Sequence, residues 1–224
     1  MKKNFAMRIA ACLLVVTMLS LCMVSYTYAK YVTTDEASAS AQVAKWGVQV
    51  HAELADMFAK GYDASNAAVD DDSTATVWAS GEYNLLAPGT EDQTAAALTI
   101  SGTPEVAVSV AYVAEVTLAK WEIAGNEYCP LVITVNVDGT PTNYSIDGSA
   151  IKTVAELEAA VEEAITSLAA EYGPNKDLAK SIIVSWSWAF DGDDAKDTAL
   201  GDQAATTGAA SFSIKVGATV TQLN

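Results

Sequence analysis

The chain has 224 residues with 28 acidic and 12 basic side chains, a formal charge of −16, and half of its residues are apolar. A surface that acidic repels phosphate backbones and anionic lipid heads, which excludes nucleic acid as an expected partner and leaves no basic patch for a membrane surface. Three cysteines in the whole chain also exclude a disulfide-built scaffold, so stability has to come from burial and hydrogen bonding.

The first element is a targeting segment. Lys2, Lys3 and Arg8 precede an apolar run from Ile9 to Val24 broken only by Thr17 and Ser20, and Thr27-Tyr28-Ala29 follows. A positive start, a short apolar stretch and small residues three and one before a cut make a secretory signal peptide over 1–29, cleaved between Ala29 and Lys30. The run is shorter than the roughly 20 residues that span a bilayer, so membrane contact is expected only through the uncleaved signal. Cys22 follows a leucine rather than a small residue, which disfavours a lipid-modified cysteine. Cleavage leaves residues 30–224, with nine basic against 28 acidic side chains, a charge of −19, and Cys129 as the one cysteine. Cys129 then reads as a small buried hydrophobe. The mature chain is expected outside the cell or at its surface.

Residues 30–44 form a leader whose large apolar residues, Tyr31, Val32 and Val43, do not share one face. The domain proper is 45–224. Lys45 to Leu54 alternates, with Trp46, Val48, Val50, Ala52 and Leu54 on one side, and predicts a half-buried strand. Asp56 to Ser73 is polar and reads as a loop, a short strand is expected at 76–79, and Ala87-Pro88-Gly89 marks a turn. Strands follow at 94–101, 105–115, 116–123 and 131–137. Asp138-Gly139 predicts a tight turn into a return strand at 143–147. Short strands joined by turns predict an all-β antiparallel sandwich or barrel.

One helix interrupts the strands, predicted over 153–172. Thr153 and Glu156 form a capping box. Val154, Leu157, Val161, Ile165 and Leu168 make its apolar stripe, with Glu158, Glu162 and Glu163 off it, and Gly173-Pro174 stops it. Two strands close the chain, 181–190 with Ile182, Val184, Trp186, Trp188 and Phe190 on the core face, and 211–222 with Phe212, Ile214, Val216, Ala218 and Val220.

Catalytic chemistry finds few candidates. The single histidine, His51, lies on the polar face of the first strand, with no second histidine to complete a zinc site and no serine in a nucleophile-elbow context to complete a Ser-His-acid triad. The acidic segment 191–202 places Asp191, Asp193, Asp197 and Asp202 at positions one, three, seven and twelve of a calcium-loop spacing. Lys196 stands where that loop needs glycine, so the EF-hand reading fails. An irregular Ca2+ site on these four aspartates stays open beside a solvated turn. Trp186 and Trp188 share a face with Ile182, Val184 and Phe190, which makes them core rather than a sugar platform. No cofactor and no enzyme activity is expected. Carboxylate-pair hydrolysis stays a minor alternative, because acids are too abundant to single out a pair.

The cleavage region Thr27-Tyr28-Ala29, Tyr31 with an acid soon after, and a Ser/Ala-rich stretch leading into "VAKWGVQV" resemble the TasA/camelysin family. "LLAPGT" before "LTISGTPEVAVSV", "SWSWAF" before "DAKDTALGD", and the terminal "VGATVTQLN" are similar to its clostridial members. These are secreted proteins of Gram-positive bacteria processed by an endoplasmic-reticulum-type signal peptidase, SipW. The resemblance implies a jelly-roll-like sandwich, with the predicted helix inserted, and self-association into fibres of the biofilm matrix. In such fibres the leader freed by cleavage becomes a strand in the next subunit. The metalloprotease label attached to camelysin does not carry over, since the chain has no zinc-binding histidine pair. The alternative is a monomeric cell-surface sandwich that binds glycan or protein.

Overall fold

The computed structural model describes residues 13–15, 42–53, 57–93, 95–206 and 208–224. The chain divides into two units, Met1–Val43 and Ala44–Asn224. In the first, 13–15 are helical and Ala29, Lys30, Tyr31 and Val32 lie outside the described residues, as does most of the expected signal peptide and leader.

The second unit is mostly β, and its sheets are antiparallel. In chain order it contains β1 (Val48–Glu53), β2 (Gly61–Tyr62), β3 (Val77–Trp78), β4 (Ala96–Gly102), β5 (Val108–Ala119), β6 (Glu122–Ile123) and β7 (Asn126–Glu127). There follow β8 (Leu131–Val137), β9 (Thr140–Tyr144), α1 (Val154–Thr166), β10 (Ala170–Tyr172), β11 (Leu178–Trp188), α2 (Asp194–Thr206) and β12 (Ser211–Gln222). One sheet has the order β1-β4-β11-β8-β9, a second β10-β5-β12, and β2-β3 and β6-β7 are two-stranded ribbons.

The two larger sheets share one core. Leu98, Ile133, Val184 and Trp186 of the first, and Val108, Val110, Val116 and Phe212 of the second, are buried in the same cluster. Each fully buried side chain of this kind stabilises by about 1.5–3 kcal/mol. Phe58 stacks on Trp186 at 5.5 Å and meets Phe212 edge-on at 5.5 Å, so the loop-rich segment around β2 and β3 closes part of this core. The indole N–H of Trp186 donates to the Met57 carbonyl at 3.2 Å. Trp186 and Trp188 are core residues, as their strand face requires.

Several expected boundaries move. The strands expected at 105–115 and 116–123 are one strand, β5, because Val108, Val110, Tyr112, Val116 and Leu118 keep a single parity and Glu115 simply points outward. Lys120, at φ 61°, ends that run. The return strand begins at Thr140 rather than 143, directly after Asp138 and Gly139 at φ 51° and 87°, the left-handed pair a two-residue hairpin turn needs. The helix ends at Thr166, not at Tyr172. Residues 170–172 pair with Val110, Ser109 and Val108 of β5 instead, so sheet pairing overrides the helix-forming "LAAEY". Its capping box is formed as expected, with Glu156 N–H donating to Thr153 Oγ1 at 3.1 Å and Thr153 N–H to Glu156 Oε2 at 3.2 Å. Phe190, placed on the core face by alternation, lies two residues past the end of β11 and is 74% exposed.

The segment 191–202 is not a loop. Most of it is the second helix of this unit, α2, where one helix was expected. Lys196 N–H donates to Asp193 Oδ1 at 3.1 Å, and Asp197 N–H to the Asp193 carbonyl at 2.8 Å, so Asp193 caps it.

Candidate assembly edges

Every sheet has two outer strands, and a strand edge with unpaired N–H and C=O groups accepts another strand unless something blocks it. The fate of these edges therefore decides what this domain can assemble with.

The β5 edge is blocked. Its far end pairs with β10, and the rest lies under α1. Glu162 Oε1 accepts from Val116 N–H at 2.8 Å, and Glu158 Oε1 from Leu118 N–H at 2.5 Å. These glutamates were expected on the solvent side of the helix. They are half-buried, next to the fully buried Leu157, Val161 and Ile165, and satisfy edge groups that a foreign strand would use. The β9 edge is short and carries Pro141, which has no N–H to give. The free length of β11 beyond β4 is taken by residues 89–92. Gly89 N–H donates to the Trp188 carbonyl at 2.9 Å, Trp188 N–H to the Thr90 carbonyl at 2.8 Å, and Asp92 N–H to the Trp186 carbonyl at 3.0 Å. Trp186 N–H donates to the Asp92 carboxylate at 3.0 Å, whose pKa is raised chiefly by burial.

Two edges stay open. β12 pairs with β5 along all 12 of its residues, and its other side has no strand partner among the described residues. It has no proline, and Lys215, its only charge, meets Glu115 at 3.5 Å on the exposed face. Ile214, Ala218 and Val220, on its inner face, are only partly buried against the core. The second open edge is β1, which among the described residues pairs only with β4, from Val48↔Gly102 to Glu53↔Ala97. β1 was expected to be half-buried. It is an outer strand exposed on both faces apart from Val48, with Val50 43% exposed, because among the described residues the second sheet reaches it too little to cover its expected inner face. β1 and β12 touch, so both open edges lie on one side of the domain.

The start of β1 is fixed. Lys45 N–H donates to Glu105 Oε2 at 2.8 Å and Glu105 N–H to the Lys45 carbonyl at 2.9 Å. Gly102, at φ 128°, lets the chain pass so closely that a Cβ there would lie 2.0 Å from the Gly47 carbonyl oxygen. Val43, just before this anchor, is 97% exposed.

The four candidate cation ligands do not converge. Asp193 caps α2 and pairs with Lys196 at 3.0 Å, and Asp197 turns inward to accept from the Tyr128 hydroxyl at 2.6 Å. Among the described residues no three His, Cys, Asp or Glu side chains are grouped to hold a metal. His51 is an exposed strand residue 3.8 Å from Glu53. Cys129 is a buried free thiol whose pKa is pushed up to about 12 by burial. Among the described residues no helix is long and apolar enough to cross a membrane. Comparison of the chain with protein-family models, with curated proteins and with solved structures returns no match.

Proposed function

We propose that the mature chain is a secreted structural subunit of the TasA/camelysin type, a jelly-roll-like sandwich that builds extracellular matrix fibres by donating its leader strand to a neighbour. The observation that carries this reading is the 12-residue edge of β12, which has no strand partner among the described residues, whereas β5 is covered by α1 and β10, β9 is short and proline-bearing, and the other open edge, β1, is six residues long. A strand laid there gains a ladder of backbone hydrogen bonds and covers the half-exposed Ile214, Ala218 and Val220.

The leader has a pattern suited to that groove. Ala37, Ala39, Ala41 and Val43 alternate with Ser38, Ser40 and Gln42. Small apolar side chains at strand spacing fit a shallow edge. Donation to the next copy is a head-to-tail contact that does not close, and such contacts make filaments. Signal cleavage between Ala29 and Lys30 by a SipW-type peptidase frees the donor end. The anchor at Lys45 and Glu105 makes the leader depart from a fixed point, which gives each subunit a defined direction to the next.

The test is a paired preparation of the chain starting at Lys30 and one starting at Trp46, both viewed by negative-stain electron microscopy. The reading requires filaments from the first and monomers from the second. Mixing the shorter chain with a synthetic peptide of residues 30–44 should protect β12 amides from hydrogen exchange.

A further inference from the structure

The leader proposed for β12 leaves the other open edge, β1, without an occupant. Val48–Glu53 has no proline, and all of it except Val48 is exposed. Its neighbour β4, Ala96–Gly102, carries no charge. His51 and Glu53, 3.8 Å apart, are the only titratable side chains of β1. The chain carries −16, so copies repel over most of their surface, and this edge is a place where they meet at little electrostatic cost. The backbone bonds between Lys45 and Glu105 hold the start of the strand, so little ordering is left to be done on association.

The order of side chains along β1 suits a copy of itself. A two-fold axis normal to a sheet relates two antiparallel strands by setting one residue opposite its own copy, and each side chain stays on its own face. β1 runs from 48 to 53, so an axis at 49 or 52 pairs only residues 48–50 or 51–53. An axis at 51 sets two His51 side chains against each other. An axis at 50 sets Val50 against Val50 and Val48 against Ala52 on one face, and Gln49 against His51 on the other. Apolar then meets apolar, and an amide meets an imidazole. Glu53 falls opposite Gly47 of the second copy, which puts the two Glu53 side chains about 20 Å apart along the strands. That is beyond the roughly 10 Å over which exposed charges act at 0.1 M salt.

We infer that β1 is a self-association edge, pairing antiparallel about Val50 with β1 of a second copy and joining two five-stranded sheets into one. The contact is isologous and closed, so it makes dimers where the leader contact makes filaments, and it does not depend on leader donation. In a fibre it would tie neighbouring filaments side by side. The pair covers Val50, which is 43% exposed in the single chain.

The experiment uses the full 224-residue chain in mild detergent, with Cys12→Ser and Cys22→Ser, so that the buried Cys129 is the one native thiol left. The leader end is not freed in this chain, which separates the outcome from that of strand donation. Oxidation of Val50→Cys should trap a disulfide dimer, because directly opposed residues lie about 4.5–5.5 Å apart. Gln49→Cys and His51→Cys should each trap little alone, since each meets its own copy diagonally at about 7–8 Å, but the two variants mixed should cross-link. Val50→Lys added to both chains sets like charges at the axis and should cut that mixed cross-link at least tenfold. Absence of a Val50→Cys dimer, equal cross-linking of all three single cysteines, or a mixed cross-link untouched by Val50→Lys overturns the proposal. So does preferential trapping of Val50→Cys chains on Ser40→Cys chains, which would make a donated leader the occupant of β1.

Discussion

At the scale of single residues, charged side chains are placed to satisfy the backbone more than to pair with each other. Asp147 accepts from Ser149, Ala150 and Ile151 N–H groups and from the Ser149 hydroxyl, and these bonds, the Ser149 N–H foremost, hold its pKa down to about 2. Asp138 is held low chiefly by its 2.6 Å bond to Lys180 and also accepts from Ser181 N–H at 2.9 Å. A carboxyl lowered in the folded state contributes stability above its ordinary value of 3.8, and that stability is lost as pH falls through the folded value. Denaturant midpoints should therefore fall between about pH 4 and pH 2, and Asp147→Asn should flatten that part of the profile. Cys129 gives a second check. Its buried, protonated thiol should not react with a disulfide reagent at pH 8 in the native protein, and should react fully once denaturant unfolds it.

At the scale of elements, α1 acts as an edge cover. Glu158→Ala leaves the Leu118 N–H unpaired under the helix and should cost about 1–3 kcal/mol, and Glu162→Ala a similar amount at Val116. Urea titration checks the magnitudes. The double variant should also aggregate amorphously, because it exposes a further edge, that of β5, which α1 keeps closed. The donor geometry is tested by cysteines at Ser38 and Thr219, which should yield a ladder of disulfide-linked oligomers from the chain starting at Lys30 and none from single-cysteine controls. These elements differ in how far sequence reveals them. The stripe Leu157, Val161 and Ile165 and the alternation of β11 and β12 are set by burial, and burial is what apolar periodicity reports. α2 has no such stripe: Leu200 is its only buried apolar side chain, and its signals in the sequence are the Asp193 cap and four scattered alanines. The exposure of β1 was illegible for a different reason. Alternation says which residues share a face, but only the opposing layer decides whether that face is covered. The roles of Glu158, Glu162 and Asp197 were hidden likewise, since acidic residues beside a helix stripe look solvated until the strand or tyrosine that they meet is known.

At the scale of the whole molecule, charge opposes assembly. The chain from Lys30 onward would carry −19, and in the proposed fibre its copies must come within a few ångströms of each other. Screening shortens the reach of that repulsion to about 10 Å at 0.1 M salt. Filament growth by the chain starting at Lys30 should therefore be slow at low ionic strength, accelerate with added salt, and accelerate again as pH falls into the range where carboxylates protonate and the net charge shrinks, as light scattering would record. Donor-strand addition is the central claim, and it makes the leader, rather than the folded domain, the determinant of assembly. Electron microscopy of the chains starting at Lys30 and at Trp46, side by side at moderate salt, tests it most directly. The account predicts long filaments from the first and none from the second. Filaments from both, or from neither across salt and pH, would contradict it.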